Sequence, residues 1–160
     1  MRDMGMGERD GRAGLAASEE ALRRAREDAS DIIGKFWASP DTALGLGLGV
    51  AGHVLASATG RHPRLSIGNN AVQFENNPVG GVSAVTLGNT SIYSGELHDA
   101  AHERQHTYQA QLLGPFYLPS NLVGGLLALG KDGSWHGPHN WNEVGPQMTP
   151  PRPWPSSRPR

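Results

Sequence analysis

The chain reads as an α+β domain, a small antiparallel sheet packed on one long helix, with further helices preceding it. Three observations predict this. Apolar residues recur at helical spacing over 18–38, and strand-like alternation replaces that period between Arg64 and Gly95. Residues 96–113 then combine strong helix formers with no interrupting Gly or Pro. A length of 160 residues suits one domain. Its expected parts are a flexible tail over 1–17, a helical region over 18–60, the main domain over 61–149 and a proline-rich tail over 150–160.

In chain order, MRDMGMGERDGRAG is charged and glycine-rich, without the apolar core of a signal peptide. That predicts either cytoplasmic placement or export without a recognisable signal. Ser18 is the expected N-cap of the first helix, with Glu19 and Glu20 in its first turn. Its thin apolar stripe runs through Leu22, Ala25, Ala29, Ile32, Ile33 and Phe36. Ser39-Pro40-Asp41-Thr42 ends that helix and starts the next. The apolar run Thr42 to Ala56 is short for a membrane span and contains His53, so a buried glycine-rich helix is expected rather than membrane association. GLGVAG at 47–52 matches the dinucleotide fingerprint, but a helix stop and not a strand precedes it. Close helix packing through small residues is the expected use.

Two segments of the strand-like region echo each other, LSIGNNAVQF at 65–74 and VTLGNTSIYS at 85–94. Gly68-Asn69 and Gly88-Asn89 are expected as hairpin turns or bulges, with the loop NNPVGG between the two segments. This predicts three or four antiparallel strands. The helix over 96–113 stops at Gly114-Pro115, a second apolar helix is expected over Ser120 to Leu129, and everything from Gly130 reads as loop.

Composition narrows the chemistry. A net charge of −1 offers no electrostatic case for nucleic acid. The chain has no cysteine, which removes disulfides, zinc ribbons and thiol catalysis. Any zinc ligand must therefore be His, Asp or Glu.

Within the best helix, residues 102–106 spell H-E-R-Q-H. One helical turn separates His102 from His106, so both imidazoles leave the same face and can share one Zn²⁺. Glu103 is then placed as general base toward water at the metal. A β segment, VTLGNTSIY, comes directly before this helix, which resembles the strand-then-metal-helix order of zincin metallopeptidases, whose cleft-edge strand can pair with an extended peptide. His98 lies eight residues from His106, about 12 Å along the helix, and cannot share a metal with both other histidines. Gln109, one turn past His106, is placed either to hydrogen-bond a ligand or substrate or to face solvent. Asp99 is placed either to orient a ligand imidazole or to face solvent.

A catalytic zinc needs a third protein ligand. Gln109 and Leu112 occupy the Gly and last His positions of the metzincin pattern, so that spacing fails. No His, Asp or Glu lies between Gly114 and Gly130. The candidates are Asp132, His136, His139 and Glu143, with Glu143 ranked first, His139 second and His136 third. Tyr108, Tyr117, His136 and His139 are the candidate oxyanion donors.

HERQHTYQAQLLGPFYLPSN, followed by WHGPHNWNEVGP and PPRPW, resembles the zincin-like metallopeptidase domain of small bacterial proteins, also seen in Rhs-type and other polymorphic-toxin-like proteins. The shared pattern is H-E-x-x-H-x-x-Q, then L-G-P-x-Y-L-P, then a downstream Asn-x-x-Glu. It covers about residues 64–155 and does not extend to 1–60. The resemblance implies a minimal zincin-like fold with His102 and His106 as ligands, Glu103 as base, Glu143 as third ligand and Zn²⁺ as cofactor; a peptide or protein substrate is what the metallopeptidase reading expects. It implies no particular substrate. Arg104-Gln105 departs from the Phe/Leu-Gly pair common before the second histidine, a change that touches no ligand. The alternatives are a catalytically inactive structural or interaction module, with Trp135, Trp141 and Trp154 serving packing or recognition, and a toxin-associated domain.

Overall fold

The computed structural model describes the backbone of residues 4–81, 83–97 and 100–148. His98, Asp99 and the tail with Trp154 lie outside the described residues. The class is α+β, as the two periodicities predict. In order come α1 (Met4–Trp37), α2 (Ser39–Ala58), β1 (Arg64–Gly68), β2 (Ala71–Glu75), β3 (Ala84–Leu87), β4 (Thr90–Tyr93), α3 (Ala100–Leu113), α4 (Tyr117–Asp132) and α5 (Trp141–Met148). Short 3-10 turns occupy Pro78–Gly80 and Gly114–Phe116.

Helix α1 begins at Met4 and not at Ser18, so most of the expected tail is helical. Ser18 caps nothing; inside the helix its hydroxyl donates back to the Gly14 carbonyl at 3.0 Å. Arg23 and Arg24 pair with Glu20 one turn back, the side-chain support a solvated helix uses. The C-terminal end of α1 meets the domain. There Asp31 accepts from Asn70 Nδ2 at 2.6 Å, Gly34 lies against Gln111 of α3, and Ala38, just past the helix, is fully buried with Ala110 and Tyr117.

Helix α2 inverts the usual helical pattern. Gly45, Gly49, Gly52 and Ala56 form its buried face. Leu44, Leu48, Val50, Val54 and Leu55 are exposed. The reason is steric. A Cβ at Gly49 would strike the Phe74 ring, and one at Gly52 would strike the Asn77 amide. The backbone therefore lies directly on the sheet, where Asn77 Nδ2 reaches the Gly49 carbonyl at 2.8 Å. GLGVAG lies within this helix, where Gly49 and Gly52 serve packing and Gly47 faces open space.

The echo in the sequence is two hairpins, β1–β2 and β3–β4, each antiparallel. Asn69 and Asn70 both adopt positive φ in the first turn, and Gly88 does so in the second. The sheet is mixed, not wholly antiparallel: its order is β1-β2-β4-β3, and β2 pairs with β4 in parallel. Burial explains the order. All four residues of β4 are buried, which requires a central strand, whereas Ala84 and Val85 of β3 are half-exposed, which an edge allows.

Helix α3 crosses beside β3 and buries an unusually polar face of Glu103, Gln105, His106, Thr107 and Gln111. Buried polar groups persist only with partners. Gln111 Nε2 donates to Asn89 Oδ1 at 2.5 Å, and Thr107 to the Glu103 carbonyl at 3.2 Å. Helix α4 starts at Tyr117, ahead of the expected Ser120, with Pro119 tolerated in its first turn, and ends on Gly133 in the left-handed conformation. By length and composition alone, Ala100–Asp132 contains a window apolar enough to cross a membrane. In this fold it bends through Gly114–Phe116, and its first half carries the polar residues just named. A final correction concerns the expected C-terminal loop, which contains α5.

Candidate metal centre

Helix α3 turns His102 and His106 to one side, with Nε2 atoms 2.9 Å apart. Helix α5 brings Glu143 across from them. Its Oε2 lies 3.4 Å from His102 Nε2 and 3.5 Å from His106 Nε2. The described residues thus hold one group of side chains, His102, His106 and Glu143, able to hold a metal ion. Ligand atoms around a tetrahedral zinc, with bonds near 2.0–2.1 Å, stand about 3.3 Å apart. The three edges of this triangle match that spacing. Glu143 Oε2 is buried, and the groups it meets are the ring nitrogens of His102, His106 and His136, at 3.4, 3.5 and 3.1 Å.

Electrostatics tell the same story. Burial pushes the Glu143 carboxyl up, but bonds from His102, His106 and His136 outweigh it and hold the group well below the usual carboxylate range. Burial pulls the His106 imidazole down, while Glu143 and the charge of Glu103 raise it, for a net rise. Without a metal the two groups form an ion pair.

The partners of His106 fix which nitrogen is free. Its Nδ1 lies 2.9 Å from Gln109 Oε1, so the ring donates there and leaves the Nε2 lone pair for a metal. Gln109 Nε2 in turn donates to the Asn142 carbonyl at 2.9 Å. That carbonyl is available because its helical partner four residues on is Pro146, which has no N–H. The Gly145-Pro146 pair inside α5 thereby ties Glu143's helix to the residue that orients His106.

Glu103 is buried and lines the same cavity, and Thr86 Oγ1 donates to its Oε2 at 2.5 Å. Thr86 has spent its one proton, so Ser91 Oγ, 2.9 Å behind it on β4, is the donor to Thr86. Burial, then the Glu103 charge, pushes nearby Tyr93 up to about 12.

The other expected candidates fall into place around this triangle. His136 Nδ1 is 3.1 Å from Glu143 Oε2, on a side chain 61% exposed, and outside the metal-holding group. His139 is turned away: its Nδ1 meets Asp132 Oδ1 at 2.6 Å, and its N–H meets Oδ2 at 3.0 Å. Those bonds hold the Asp132 carboxyl below its ordinary value, the backbone one first. His139 and Asp132 thus form a loop clamp. Of the candidate oxyanion donors, Tyr117 and His136 line the cavity, whereas Tyr108 and His139 do not. Gln109 takes the first of its two expected uses, a hydrogen bond to a ligand, whereas nothing in the sequence singles out Thr86, because its position carries no motif. Asn140 with Glu143 three residues on is a capping signature that could have revealed α5.

Comparison of the chain with protein-family models, with curated proteins and with solved structures found no match.

Proposed function

We propose that the chain is a zinc-dependent metallohydrolase of the zincin-like type, acting as a peptidase. The observation that carries this reading is the triangle of His102 Nε2, His106 Nε2 and Glu143 Oε2, with edges of 2.9, 3.4 and 3.5 Å. A zinc ion bound there supplies a Lewis acid for a carbonyl and a more acidic water. Glu103, beside that triangle, takes the proton of the attacking water and returns it to the leaving amine. Thr86 and Ser91 hold its carboxylate in place for both transfers. Gln109 keeps the His106 tautomer correct, and Tyr117 and His136, which line the cavity, are the candidate donors to a developing oxyanion.

A second reading has one observation in its favour. The Thr86–Glu103 bond also ties α3 to β3, as an inactive interaction module would need. Incubation with a mixed peptide library, followed by mass spectrometry of the products, separates the two. The enzyme reading predicts cleavage that chelator abolishes, zinc restores and Glu103→Gln loses while keeping its metal. Cleavage that persists in Glu103→Gln, or no cleavage of any peptide by zinc-loaded protein, contradicts it.

A further inference from the structure

The cavity beside the triangle measures about 710 Å³, within the roughly 300–1,000 Å³ of small-ligand sites. Its walls divide sharply. One carries His102, His106, Glu103 and Glu143; the rest is mainly apolar, with Val85, Leu87, Leu118, Leu122 and Trp135, and its polar groups are those of Thr86, Tyr117, Asn121 and His136. Among the described residues lining it there is no lysine, arginine or aspartate. Both glutamates are engaged, Glu103 by Thr86 and Glu143 by three imidazoles. A chain-terminal carboxylate would find no lysine or arginine here, and a terminal amine no uncommitted carboxylate. A charged side chain would lose solvent against leucine and tryptophan, and the imidazoles lining the cavity are already bonded to Glu143, so it would be received at a cost. Moreover, β3 is an edge strand, and all four of its residues line the cavity, so an extended backbone can be received beside it.

We infer that the site takes an internal stretch of polypeptide carrying a bulky, uncharged apolar side chain, of leucine or phenylalanine type, next to the bond presented to the metal ligands. The inference rests on the zinc reading and adds its substrate class. Leu118 and Leu122 of α4, with Trp135, select that side chain. Each methylene removed from water there is worth a factor of about four in affinity.

The test uses zinc-loaded full-length protein and three hydroxamates, titrated calorimetrically: acetohydroxamate, a hydroxamate bearing an isobutyl arm and one bearing a carboxyethyl arm. The isobutyl compound is expected to bind at least about tenfold tighter than acetohydroxamate, and the carboxyethyl compound no tighter. Leu122 is 53% exposed, so Leu122→Lys is expected to fold, to erase the isobutyl advantage and to favour the carboxyethyl arm. Equal affinity for all three compounds, with acetohydroxamate still binding, overturns the pocket assignment and leaves the zinc reading standing. Protein that takes up no zinc and binds none of the three overturns both.

Discussion

Thr86 on the edge strand holds Glu103 on the neighbouring helix, and the bond is backed by Ser91 directly across the β3–β4 pair. Glu103 therefore does not choose its own rotamer; the sheet chooses it. Thr86→Val keeps the shape and removes the donor. It is expected to destabilise the fold by about 1–3 kcal/mol in urea denaturation, because a buried carboxylate loses its partner. With zinc bound, kcat is expected to fall about tenfold or more while KM and metal content stay unchanged. Thr86→Ser is expected to restore kcat. An unchanged kcat in Thr86→Val would reduce Thr86 to a structural tie.

The contact between His106 Nδ1 and Gln109 sets the metal-binding tautomer. Gln109→Leu is expected to weaken zinc affinity about 10–100-fold, the usual cost of losing a group that orients a ligand. A competition titration against a fluorescent zinc chelator measures it. Zinc affinity unchanged within about twofold would mean that the ring is oriented by packing alone.

Zinc must displace a proton from His106, whose pKa is raised. Affinity is therefore expected to climb as pH rises through that raised value and then to level off, with proton uptake by buffer visible calorimetrically. Metal-free protein has the opposite slope on this side. The raised His106 contributes stability that is complete below its unfolded pKa, near 6.5, and is lost as pH rises through the folded one. The depressed Glu143 contributes stability that is present above its unfolded value and lost as pH falls through the folded one. Chelator-treated protein is thus expected to melt highest between roughly pH 4.5 and 6.5. A melting temperature that rises steadily from pH 6 to 9 would contradict the ion pair.

Two glycines of α2 test the packing beneath the site. Gly49→Ala drives a methyl into the Phe74 ring and is expected to cost about 1–3 kcal/mol. Gly47→Ala meets open space and is expected to be neutral or to stabilise by up to about 1 kcal/mol. Thermal melts of the two variants side by side measure the contrast.

Elements with a strong local signal were legible in the sequence. Residues 96–113 promised a helix through composition, of which Ala100–Leu113 is helical and 96–97 is not, and 65–74 and 85–94 promised hairpins through turn residues between β-prone runs. What escaped depends on tertiary context. The glycine-rich start of α1 has poor propensity, so local rules end the helix at Ser18. The parallel β2–β4 pair depends on which hairpin strand is buried, and two echoing segments do not encode that. Helix α5 was masked by Gly145-Pro146, although Asn140 and Glu143 carry a capping pattern. The site divides in the same way. The spacing of His102, Glu103 and His106 is local and readable. Thr86 and the Asn142 carbonyl act through folding alone.

The most direct measurement is the metal content of natively purified protein by inductively coupled plasma mass spectrometry, beside His106→Ala and Glu143→Ala. The proposed centre predicts about one equivalent of zinc per chain, retained through desalting and lost in both variants. A native protein that is metal-free and takes up no zinc, or variants that keep their full equivalent, would contradict it.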